Sequence, residues 1–600
     1  MTPRIPQPDM TPRTTQPGAT PRITRVAGPL IEFDGPADVA MHELVALGPA
    51  GLPGEVVGIR GGTLTAQAYE YTGGMHPGDP AAPLGHPLAA RLGPWLLGGI
   101  FDGLLRPLTG APVWLAAGAV RDTPDAAARW AFTPAVAAGA RVGPGTLLGT
   151  VATGGPVDYR VLVPPGSDAP GTVERIAGAG RYGPDDTVAT VAGRPVGLTL
   201  RWPVRTPLPS RERRPGTEPL HTGQRAVDLL FPIVKGSTAA VPGGFGTGKT
   251  MLLQQIAKWC DADVIVYVGC GERGNEMADV VGELAELADP RTGGPLLART
   301  VVVANTSNMP MMAREAGVYT GVTVAEHFRD MGYDVVLIAD STSRWAEALR
   351  EFAARTGALP AEEGYPADLA SALAAFYERA GAVTTLGGTH GSVTILGAVS
   401  PPGGDLTEPV TANTERFVRC RWSLDRDLAY ARHYPAVSWS GSFSRDAAAA
   451  AAHHTRHGDG AWAGRRDRAL ELLAGADRVG ALADLIGVAG LPEHERATLV
   501  AGRLVREAVL QQNALVDNDA FCTAEKAAAL LDAALAAGER CHARVDAGLD
   551  PAEIERFDFG PLLRAREETG PGDAAGVAGR AARVLAALDA AGSAGAGGPA

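Results

Sequence analysis

The middle of the chain alternates between short, uninterrupted runs of apolar residues and longer segments with helical periodicity. The apolar runs are rich in valine, isoleucine and leucine, which is the pattern of parallel strands buried on both faces of a sheet. They cover residues 263–269, 299–304, 334–339 and 393–399. The pattern predicts an α/β domain with a parallel sheet over residues 222–440.

The N-terminal side of the chain has a different pattern. Residues 23–90 contain short β-forming stretches separated by glycine and proline, which predicts a small β-barrel. Residues 111–192 repeat this pattern and predict a second, β-rich domain. They contain no lysine, which excludes a carrier domain whose lysine bears a swinging arm. We therefore expect a structural or docking module there, followed by a proline- and arginine-rich linker over residues 201–221.

The C-terminal part and the two ends complete a multidomain prediction. Residues 441–570 are alanine-rich with helical patterning and predict a helical domain. Residues 1–22 repeat a Thr-Pro-Arg theme and predict a disordered tail. Residues 571–600 predict an Ala/Gly-rich tail, and we expect its last part, residues 592–600, to be disordered.

One stretch inside the α/β domain fits the phosphate-loop pattern G-x-x-x-x-G-K-[ST]. It consists of Gly243, Gly244, Phe245, Gly246, Thr247, Gly248, Lys249 and Thr250. Its glycines let successive backbone N–H groups point at one anion, and the next helix adds the positive end of its dipole. Lys249 would reach the outer phosphates and the Thr250 hydroxyl would bind Mg²⁺. Glycine is common in this chain but lysine is rare, and a strand pattern precedes the loop, so we predict nucleotide binding.

Composition narrows the classes of function. The 600 residues include 54 basic and 66 acidic ones, a net charge of −12, which argues against a nucleic-acid-binding surface. No run of about 18 apolar residues occurs, so we expect no membrane span, and the polar N-terminus does not resemble a signal peptide. The five cysteines are scattered without metal-ligand spacing, which suits a reducing cytosol.

Charged residues follow two of the predicted strands. Asp340 ends the strand at 334–339, where a carboxylate on the Mg²⁺ side of a phosphoryl-transfer site is expected; an ordinary helix cap is the alternative. Glu272 and Arg273 follow the strand at 263–269. There Glu272 can polarise a water for attack on the γ-phosphoryl group, and Arg273 can neutralise developing charge. A plain acidic helix start is the alternative for these two residues.

Three weaker features lie further along the chain. The loop at 400–405 ends a strand and is either a nucleotide-sensing loop or a plain turn. Tyr434 and Phe521 are aromatic residues that could stack on adenine, although a lone aromatic is more often part of a core. His453, His454 and His457 lie among alanine and arginine, and we interpret them as an exposed cluster rather than a metal site.

Together, several motifs resemble one known family, the catalytic A subunits of V-type and A-type rotary ATPases. The resemblance runs from about residue 23 to about residue 568. Its motifs are residues 269–277, 304–310, 339–348, 362–366, 376–381, 400–405, 510–514 and 519–522. The β-rich segment at 111–192 is similar to the inserted bulge domain of that family, which implies a fold of β-barrel, bulge, P-loop (RecA-like) domain and helical domain.

The resemblance also implies roles for individual residues. Lys249 and Thr250 match the phosphate-loop lysine and the Mg²⁺-holding threonine, and Asp340 matches the second acid, which holds Mg²⁺ through water. Glu272 matches the glutamate that activates the attacking water, and Arg273 matches its phosphate-contacting neighbour. Two further positions, Tyr434 and Phe521, look like adenine-pocket aromatics. The implied ligands are ATP or ADP with Mg²⁺.

The implied assembly is a hexamer that alternates this chain with a non-catalytic B-type subunit, which supplies an arginine finger. Central-stalk and peripheral-stalk subunits would connect it to an ion-translocating sector, with this chain peripheral on the cytoplasmic side of the membrane. The sequence departs from the family at Gly244 and Thr247 of the phosphate loop. It also departs at Leu515, a position where relatives often carry an aromatic residue.

Three other functions stay open on sequence alone. A secretion or flagellar export ATPase shares the α/β core, but the predicted insertion and the 400–405 loop argue against it. A hexameric helicase fits poorly with the acidic charge. A non-catalytic nucleotide-binding subunit of the same assembly fits poorly with an intact Lys249, Thr250 and Glu272.

Overall fold

The computed structural model describes residues 21–36, 38–110, 127–166 and 171–591. The chain divides into two compact units. The first unit comprises Met1–Pro215, Ala262–Val399 and Thr407–Phe417, and the second comprises Gly216–Asp261, Ser400–Leu406 and Val418–Ala600. The predicted tail at 1–22 lies outside the described residues except for Pro21 and Arg22.

The first unit begins with the predicted β-barrel. Its six antiparallel strands follow the order β1-β2-β5-β4-β3-β6. A bridge between Arg22 and Pro80 joins the two outer strands, so the sheet closes on itself. Phe33, Val45 and Leu64 fill the interior. The strands are β1 (Ile23–Ala27), β2 (Leu30–Asp34), β3 (Glu43–Leu47), β4 (Leu52–Arg60), β5 (Thr63–Ala68) and β6 (Ala81–Pro87).

The next strands form an insertion, apart from two that pair with strands of the central region. Two four-stranded antiparallel sheets follow the orders β10-β13-β15-β16 and β12-β11-β9-β14. Strands β7 and β17 pair with each other, so the chain leaves and re-enters at one place. The strands are β7 (Ala89–Leu92), β8 (Ile100–Phe101), β9 (Trp130–Pro134), β10 (Arg141–Val142), β11 (Leu147–Ala152), β12 (Tyr159–Leu162), β13 (Gly171–Ile176), β14 (Gly180–Tyr182), β15 (Thr187–Val191), β16 (Arg194–Gly197), β17 (Leu200–Pro203) and β18 (Glu212–Arg214).

The insertion differs in extent from its prediction. Its β-structure continues through Gly197, five residues beyond the predicted end at 192, because β16 pairs antiparallel with β15. The first part of the predicted segment, residues 111–126, lies outside the described residues.

The central region alternates strands and helices as predicted. Its strands are β19 (Thr238–Pro242), β20 (Val264–Cys270), β21 (Thr300–Asn305), β22 (Asp334–Asp340), β23 (Gly381–Thr384), β24 (His390–Val399), β25 (Cys420–Arg421) and β26 (Phe443–Ser444). Its helices are α1 (Lys249–Trp259), α2 (Gly274–Glu286), α3 (Met311–Asp330), α4 (Thr342–Thr356), α5 (Leu369–Tyr377), α6 (Pro409–Phe417) and α7 (Arg426–Tyr430). The four apolar runs in the sequence correspond to β20, β21, β22 and β24.

In the first unit these strands form a parallel sheet in the order β24-β22-β20-β21-β8. Strand β20 is buried along its whole length, as the prediction of a sheet covered on both faces requires. Strand β23 pairs antiparallel with β24, and β18 pairs with β23. The prediction of a linker at 201–221 was therefore wrong in part, since this segment contains β18 and most of β17 and joins two sheets.

In the second unit β19 pairs in parallel with β25, and β25 pairs antiparallel with β26. The C-terminal part is helical, as predicted. Its helices are α8 (Ala447–Arg456), α9 (Trp462–Ile486), α10 (Glu493–Val505), α11 (Asp517–Ala520), α12 (Ala524–Asp546), α13 (Pro551–Arg556), α14 (Gly560–Leu563), α15 (Ala565–Glu568) and α16 (Ala574–Ala590).

Helix α12 forms the centre of this helical part. It packs against α10 on one side and α16 on another. Helix α16 lies in the segment predicted as an Ala/Gly-rich tail from residue 571, so regular structure continues to Ala590. Its side chains Val577, Val584 and Leu588 are buried, which explains why an alanine-rich segment forms a stable helix here. The last residues, 592–600, lie outside the described part.

Candidate functional site

The phosphate loop lies in the second unit between β19 and α1. All five residues of β19 are buried, which fixes the strand that leads into the loop. Gly248 has a φ of +86°, a conformation that residues with a Cβ rarely adopt, and it caps the N-terminus of α1. Leu253 and Ile256 are buried and hold that helix. The loop therefore ends in a fixed helix N-terminus, which favours an anion.

The polar side chains of the loop bond to its own backbone. The Lys249 Nζ donates to the Gly243 carbonyl at 2.6 Å and to the Gly244 carbonyl at 2.9 Å. The buried Thr247 hydroxyl donates to the same Gly244 carbonyl at 2.8 Å. Thr250 is exposed in the first turn of α1, and the Phe245 ring is 94% exposed. The lysine charge is thus held at the loop, with a hydroxyl and backbone N–H groups beside it.

Two other segments of the second unit lie against the loop. Leu424 N donates to the Pro242 carbonyl at 2.8 Å, and Leu424 bridges to Gly243. On the other segment, the Gly404 Cα lies 3.9 Å from the position of a Cβ on Gly244. The structure therefore brings the 400–405 loop and the phosphate loop together.

Tyr434 lies at the start of α1. Its ring carbon Cε1 is 3.4 Å from the position that a Cβ on Gly248 would occupy. Tyr434 is 42% exposed, so part of it is accessible to a ligand. The Tyr434 carbonyl accepts a 2.7 Å hydrogen bond from Gln512 N, which fixes the backbone at this position.

Phe521 lies at the other end of the same helix. Its ring stacks on Trp259, the last residue of α1, with 5.1 Å between ring centroids. The His221 ring meets its edge at 5.6 Å. These contacts of Phe521 are those of a packed aromatic, and its role as an adenine contact stays a prediction.

Gln512 is a structural residue of this region; it lies in the motif at 510–514, but the sequence analysis gave it no role of its own. Its amide nitrogen donates to the carbonyls of Gly223 at 2.8 Å and Ala520 at 3.3 Å. Its amide oxygen accepts from Arg225 N at 2.9 Å. Through its own backbone N–H it also holds Tyr434. The sequence sign is a pair of glutamines after the apolar residues 508–510, of which the second is the buried amide that joins several segments.

In the first unit, the strand pairing places predicted charged residues at one edge of the sheet. Gly269 of β20 lies opposite Asp340 of β22, so both strands end at the same level. The Asp340 side chain is buried, and it accepts a 2.9 Å hydrogen bond from the Tyr267 hydroxyl. Asp340 is thus a fixed carboxylate at the carboxyl edge of the parallel sheet, where ligands of such sheets bind.

Glu272 follows β20 through a tight turn at Gly271. Gly271 has a φ of +71°, and a Cβ there would lie 3.0 Å from side-chain atoms of both Arg314 and Arg344. Glycine is therefore required at this position. Burial, with the charge of Asp340 and a hydrogen bond to Glu276, raises the pKa of Glu272 to about 7, and the charge of Arg344 acts in the opposite direction. A carboxylate with this pKa suits proton transfer near neutral pH.

Arg273 and Arg344 differ in how they are held. The Arg273 side chain is 73% exposed and lies 4.0 Å from Glu276. Arg344, near the start of α4, pairs with Glu347 at 3.0 Å and acts electrostatically on Glu272. Sequence reasoning gave Arg344 no role. Its position in the segment after Asp340, which begins a helix at a strand end, was the available sign.

The second unit therefore offers a cationic, N–H-rich anion site. The first unit offers a buried carboxylate beside a glutamate that can exchange a proton near neutral pH. Within the described part of the chain, no group of three or more histidine, cysteine or acidic side chains has metal-binding geometry. Across the same residues, no helix has the length and apolarity needed to cross a bilayer.

Comparison with protein-family models matches four consecutive parts of the chain to ATP synthase domains. The nucleotide-binding domain of the ATP synthase alpha/beta family matches residues 223–444, and the beta-barrel domain of the same family matches residues 23–85. The ATP synthase alpha/beta subunit barrel-sandwich domain matches residues 122–205. The C-terminal domain of V and A type ATP synthase matches residues 452–549. Fold and site thus define an ATP synthase alpha/beta-type chain.

Curated relatives are similar along most of their length. The V-type ATP synthase alpha chain of Anaeromyxobacter sp. (strain K) is 48% identical over 543 residues, which cover 90% of this chain and 93% of the relative. The A-type ATP synthase A subunit of Methanopyrus kandleri is 47% identical, over 89% of this chain and 92% of the relative. The A-type ATP synthase A subunit of Halobacterium salinarum is 46% identical, over 91% of this chain and 94% of the relative. The chain belongs to the family of V-type ATP synthase alpha chains and A-type ATP synthase A subunits.

A solved structure has the same fold at much lower identity. The assembled ATPase EscN of the enteropathogenic E. coli type III secretion system superposes with a TM-score of 0.63 at 22% identity. The match covers 86% of this chain and all of that chain. It confirms the architecture, while the family assignment rests on the relatives of higher identity.

Proposed function

We propose that this chain is the ATP-hydrolysing and ATP-synthesising subunit of a V/A-type rotary ATPase, which couples ATP turnover to transport of protons or sodium ions. The observation that carries the proposal is the formed phosphate loop with Lys249 at a fixed helix N-terminus, in a chain of this family. Glu272, whose pKa is raised, supplies the second chemical group that such turnover needs.

In the proposed reaction the loop binds the triphosphate. Its backbone N–H groups and the first turn of α1 hold the phosphate oxygens, and Lys249 exchanges its loop carbonyls for the outer phosphates. The oxygen of a water attacks the γ-phosphorus while the bond to the β–γ bridging oxygen breaks. Glu272 accepts the proton that the water loses, and Arg273 stabilises charge on the transferred group. In synthesis the same residues act in reverse.

Mg²⁺ fits the oxygen ligands that we propose for it. The exposed Thr250 hydroxyl and the buried Asp340 carboxylate are the hard donors that this ion prefers, and Asp340 would hold it through water. When bound, Mg²⁺ would neutralise phosphate charge and orient the γ-phosphoryl group. Tyr434 would stack on adenine with the accessible part of its ring. Phe521 would be a second adenine contact, a role that stays a prediction.

The proposed assembly is a hexamer in which this chain alternates with a non-catalytic B-type subunit that donates an arginine finger. An exposed apolar patch at the end of α9 supports a contact with a central stalk. It consists of Leu482, Leu485, Ile486 and Val488, which are between 43% and 81% exposed. Such a patch marks an interaction surface. We place the chain on the cytoplasmic side of the membrane as a peripheral subunit, with peripheral-stalk subunits and an ion-translocating membrane sector as its further partners.

The test separates binding from turnover in the assembled complex. We expect Glu272→Gln to keep Mg-ATP affinity within about threefold of wild type, because the change removes a base and preserves shape, while hydrolysis falls at least about a hundredfold. We expect Lys249→Ala to lose both Mg-ATP binding and hydrolysis. Near-normal hydrolysis by Glu272→Gln would contradict the assigned base, and unchanged nucleotide affinity of Lys249→Ala would contradict the assigned phosphate site.

A further inference from the structure

One cationic side chain beside the phosphate loop takes no part in the proposed reaction. The Arg426 Nη2 lies 3.7 Å from the position that a Cβ on Gly244 would occupy. Arg426 is exposed, and its guanidinium has no hydrogen-bond or ion-pair partner among the described residues. Arginine is a preferred residue for binding phosphates, and this guanidinium is free to bind an anion.

The backbone fixes Arg426 relative to the loop from both sides. On the N-terminal side, Leu424 N bonds to the Pro242 carbonyl at 2.8 Å, next to the first residue of the loop. On the C-terminal side, Arg426 begins α7, and the carboxylate of Asp425 caps this helix by accepting from Asp427 N at 2.7 Å and Leu428 N at 3.1 Å. The backbone of Arg426 is therefore held beside the loop from both sides, and its side chain is exposed.

Lys249 contacts the same loop residue as Arg426. Lys249 bonds to the Gly244 carbonyl at 2.9 Å, so an ammonium and a guanidinium lie against the same glycine. An anion bound beside this glycine would be attracted by both cations. A Cβ on Gly244 would meet the Arg426 Nη2 at 3.7 Å and the Gly404 Cα at 3.9 Å, which are ordinary contact distances, so the guanidinium lies close to the backbone of the loop. The Asp425 carboxylate forms no ion pair with Arg426 and instead accepts the hydrogen bonds of the helix cap.

We propose that Arg426 binds the phosphates of the nucleotide together with Lys249. The proposal rests on the proposed function, since the ligand is the nucleoside triphosphate of the phosphate loop. A guanidinium can give two parallel N–H···O bonds to a phosphate, and such charge-assisted bonds are stronger than neutral ones. Arg426 thus increases affinity for the charged end of the nucleotide and leaves the chemical step to the other residues.

The experiment measures Mg-ATP affinity by calorimetry on the full chain assembled with its non-catalytic partner. The variants are Arg426→Gln, Arg426→Lys and Lys249→Ala. The matched control is Arg583→Gln, since Arg583 is also an exposed arginine of the second unit that pairs with none of the described residues, and it lies on α16. Each titration is repeated at low and high salt, and each variant is melted to compare its folding with wild type.

We expect Arg426→Gln to weaken Mg-ATP binding about tenfold, and the salt dependence of binding to become shallower, because one cation–phosphate interaction is lost. Arg426→Lys should recover part of the affinity, since charge returns without the paired geometry. Arg583→Gln should leave affinity and salt dependence unchanged.

Several results would overturn the inference. One is an Arg426→Gln affinity within about twofold of wild type while Lys249→Ala is weakened; the proposed function would then stand without this contact. Another is weakened binding with an unchanged salt dependence and no recovery by lysine, which is the result of a general distortion. The proposed function, and this inference with it, would instead be overturned by two results. One is a wild-type complex that does not bind Mg-ATP, and the other is an Mg-ATP affinity that Lys249→Ala leaves unchanged.

Discussion

The Arg225 guanidinium and the Asp519 carboxylate form an ion pair at 2.7 Å with neither side chain exposed. Arg225 also donates to the Val509 and Gln511 carbonyls, each at 2.6 Å. Residues that are distant in sequence are thereby fixed around Gln512, which in turn holds Tyr434. A buried charge that loses its partner is strongly destabilising, whereas the intact pair contributes little net stability.

We therefore predict that Asp519→Ala lowers the free energy of unfolding by about 3 kcal/mol, because it leaves the Arg225 charge buried without its carboxylate. Urea unfolding of the full chain, followed by tryptophan fluorescence, measures this change. Glu351→Ala is the control, since its pair with Arg355 is about half exposed, and it should change stability by less than about 0.5 kcal/mol. Equal effects of the two substitutions would contradict the importance of burial.

The charged form of His221 should stabilise the second unit, and this contribution should be lost at alkaline pH. Burial opposes the charged imidazole, but the charge and hydrogen bond of Asp228 and the charge of Asp261 outweigh it and raise the pKa of His221 to about 9. This folded-state pKa lies above the value of about 6.5 in the unfolded chain. The stabilisation is therefore complete below about pH 6.5 and is lost as the pH rises through about 9.

Melting temperatures measured between pH 6 and pH 10 test this dependence. We expect His221→Gln to lower the melting temperature at pH 6 and to converge with wild type near pH 10. His457→Gln, at an exposed histidine, should parallel wild type throughout. A His221→Gln difference that stays constant across this range would show that packing, rather than the charge, accounts for its effect.

Arg344 should set the acidic limit of catalysis through Glu272. The Arg344 charge lowers the pKa of Glu272 against the effects of burial and Asp340. Since Glu272 must be deprotonated to act as a base, removing that charge shifts the acidic limb of kcat/KM to higher pH. The pH profile of the assembled complex measures the shift for Arg344→Gln. Arg355→Gln, on the same helix, is the control, and an unshifted limb in Arg344→Gln would contradict the coupling.

The apolar patch at the end of α9 should matter only when a stalk is present. Leu485 is 81% exposed, and we expect Leu485→Glu to reduce ATP-driven ion transport in the complete complex severalfold, because a charge would be buried at the stalk contact. Hydrolysis by the alternating hexamer without stalk should stay unchanged. Leu359→Glu, at a leucine that is 89% exposed in the first unit, is the control. Equal transport by both variants would place the stalk contact elsewhere.

The sequence predicted best the features that local pattern determines. Continuous apolar runs marked β20 and β22, and strand ends marked Asp340 and Glu272, because parallel strands present their carboxyl ends at one edge. The phosphate loop followed from glycine spacing and one lysine. Fold class and family were confirmed at this level, whereas the exact domain boundaries and the residue roles stay predictions.

The features that the sequence did not predict depend on contacts between distant segments. The pairing of Arg225 with Asp519 and the approach of Arg426 to Gly244 have no local pattern. The stacking of Phe521 on Trp259 likewise joins residues far apart in the chain. Proline and arginine made residues 201–221 resemble a linker, although β18 is only a short edge strand that tolerates such composition. Burial against α12 similarly turned a weak alanine pattern into α16.

The most direct measurement is Mg-ATP hydrolysis by the purified chain, alone and mixed with the non-catalytic partner from the same genome, while the mass of the assembly is recorded. We predict weak hydrolysis by the chain alone and a sharp rise as an alternating hexamer forms, because in the proposed assembly the arginine finger would come from the partner. Full activity as a homo-hexamer that ignores the partner would contradict this and favour an export-type ATPase. Nucleotide binding without hydrolysis in either state would contradict it as well, and would make the chain a non-catalytic subunit.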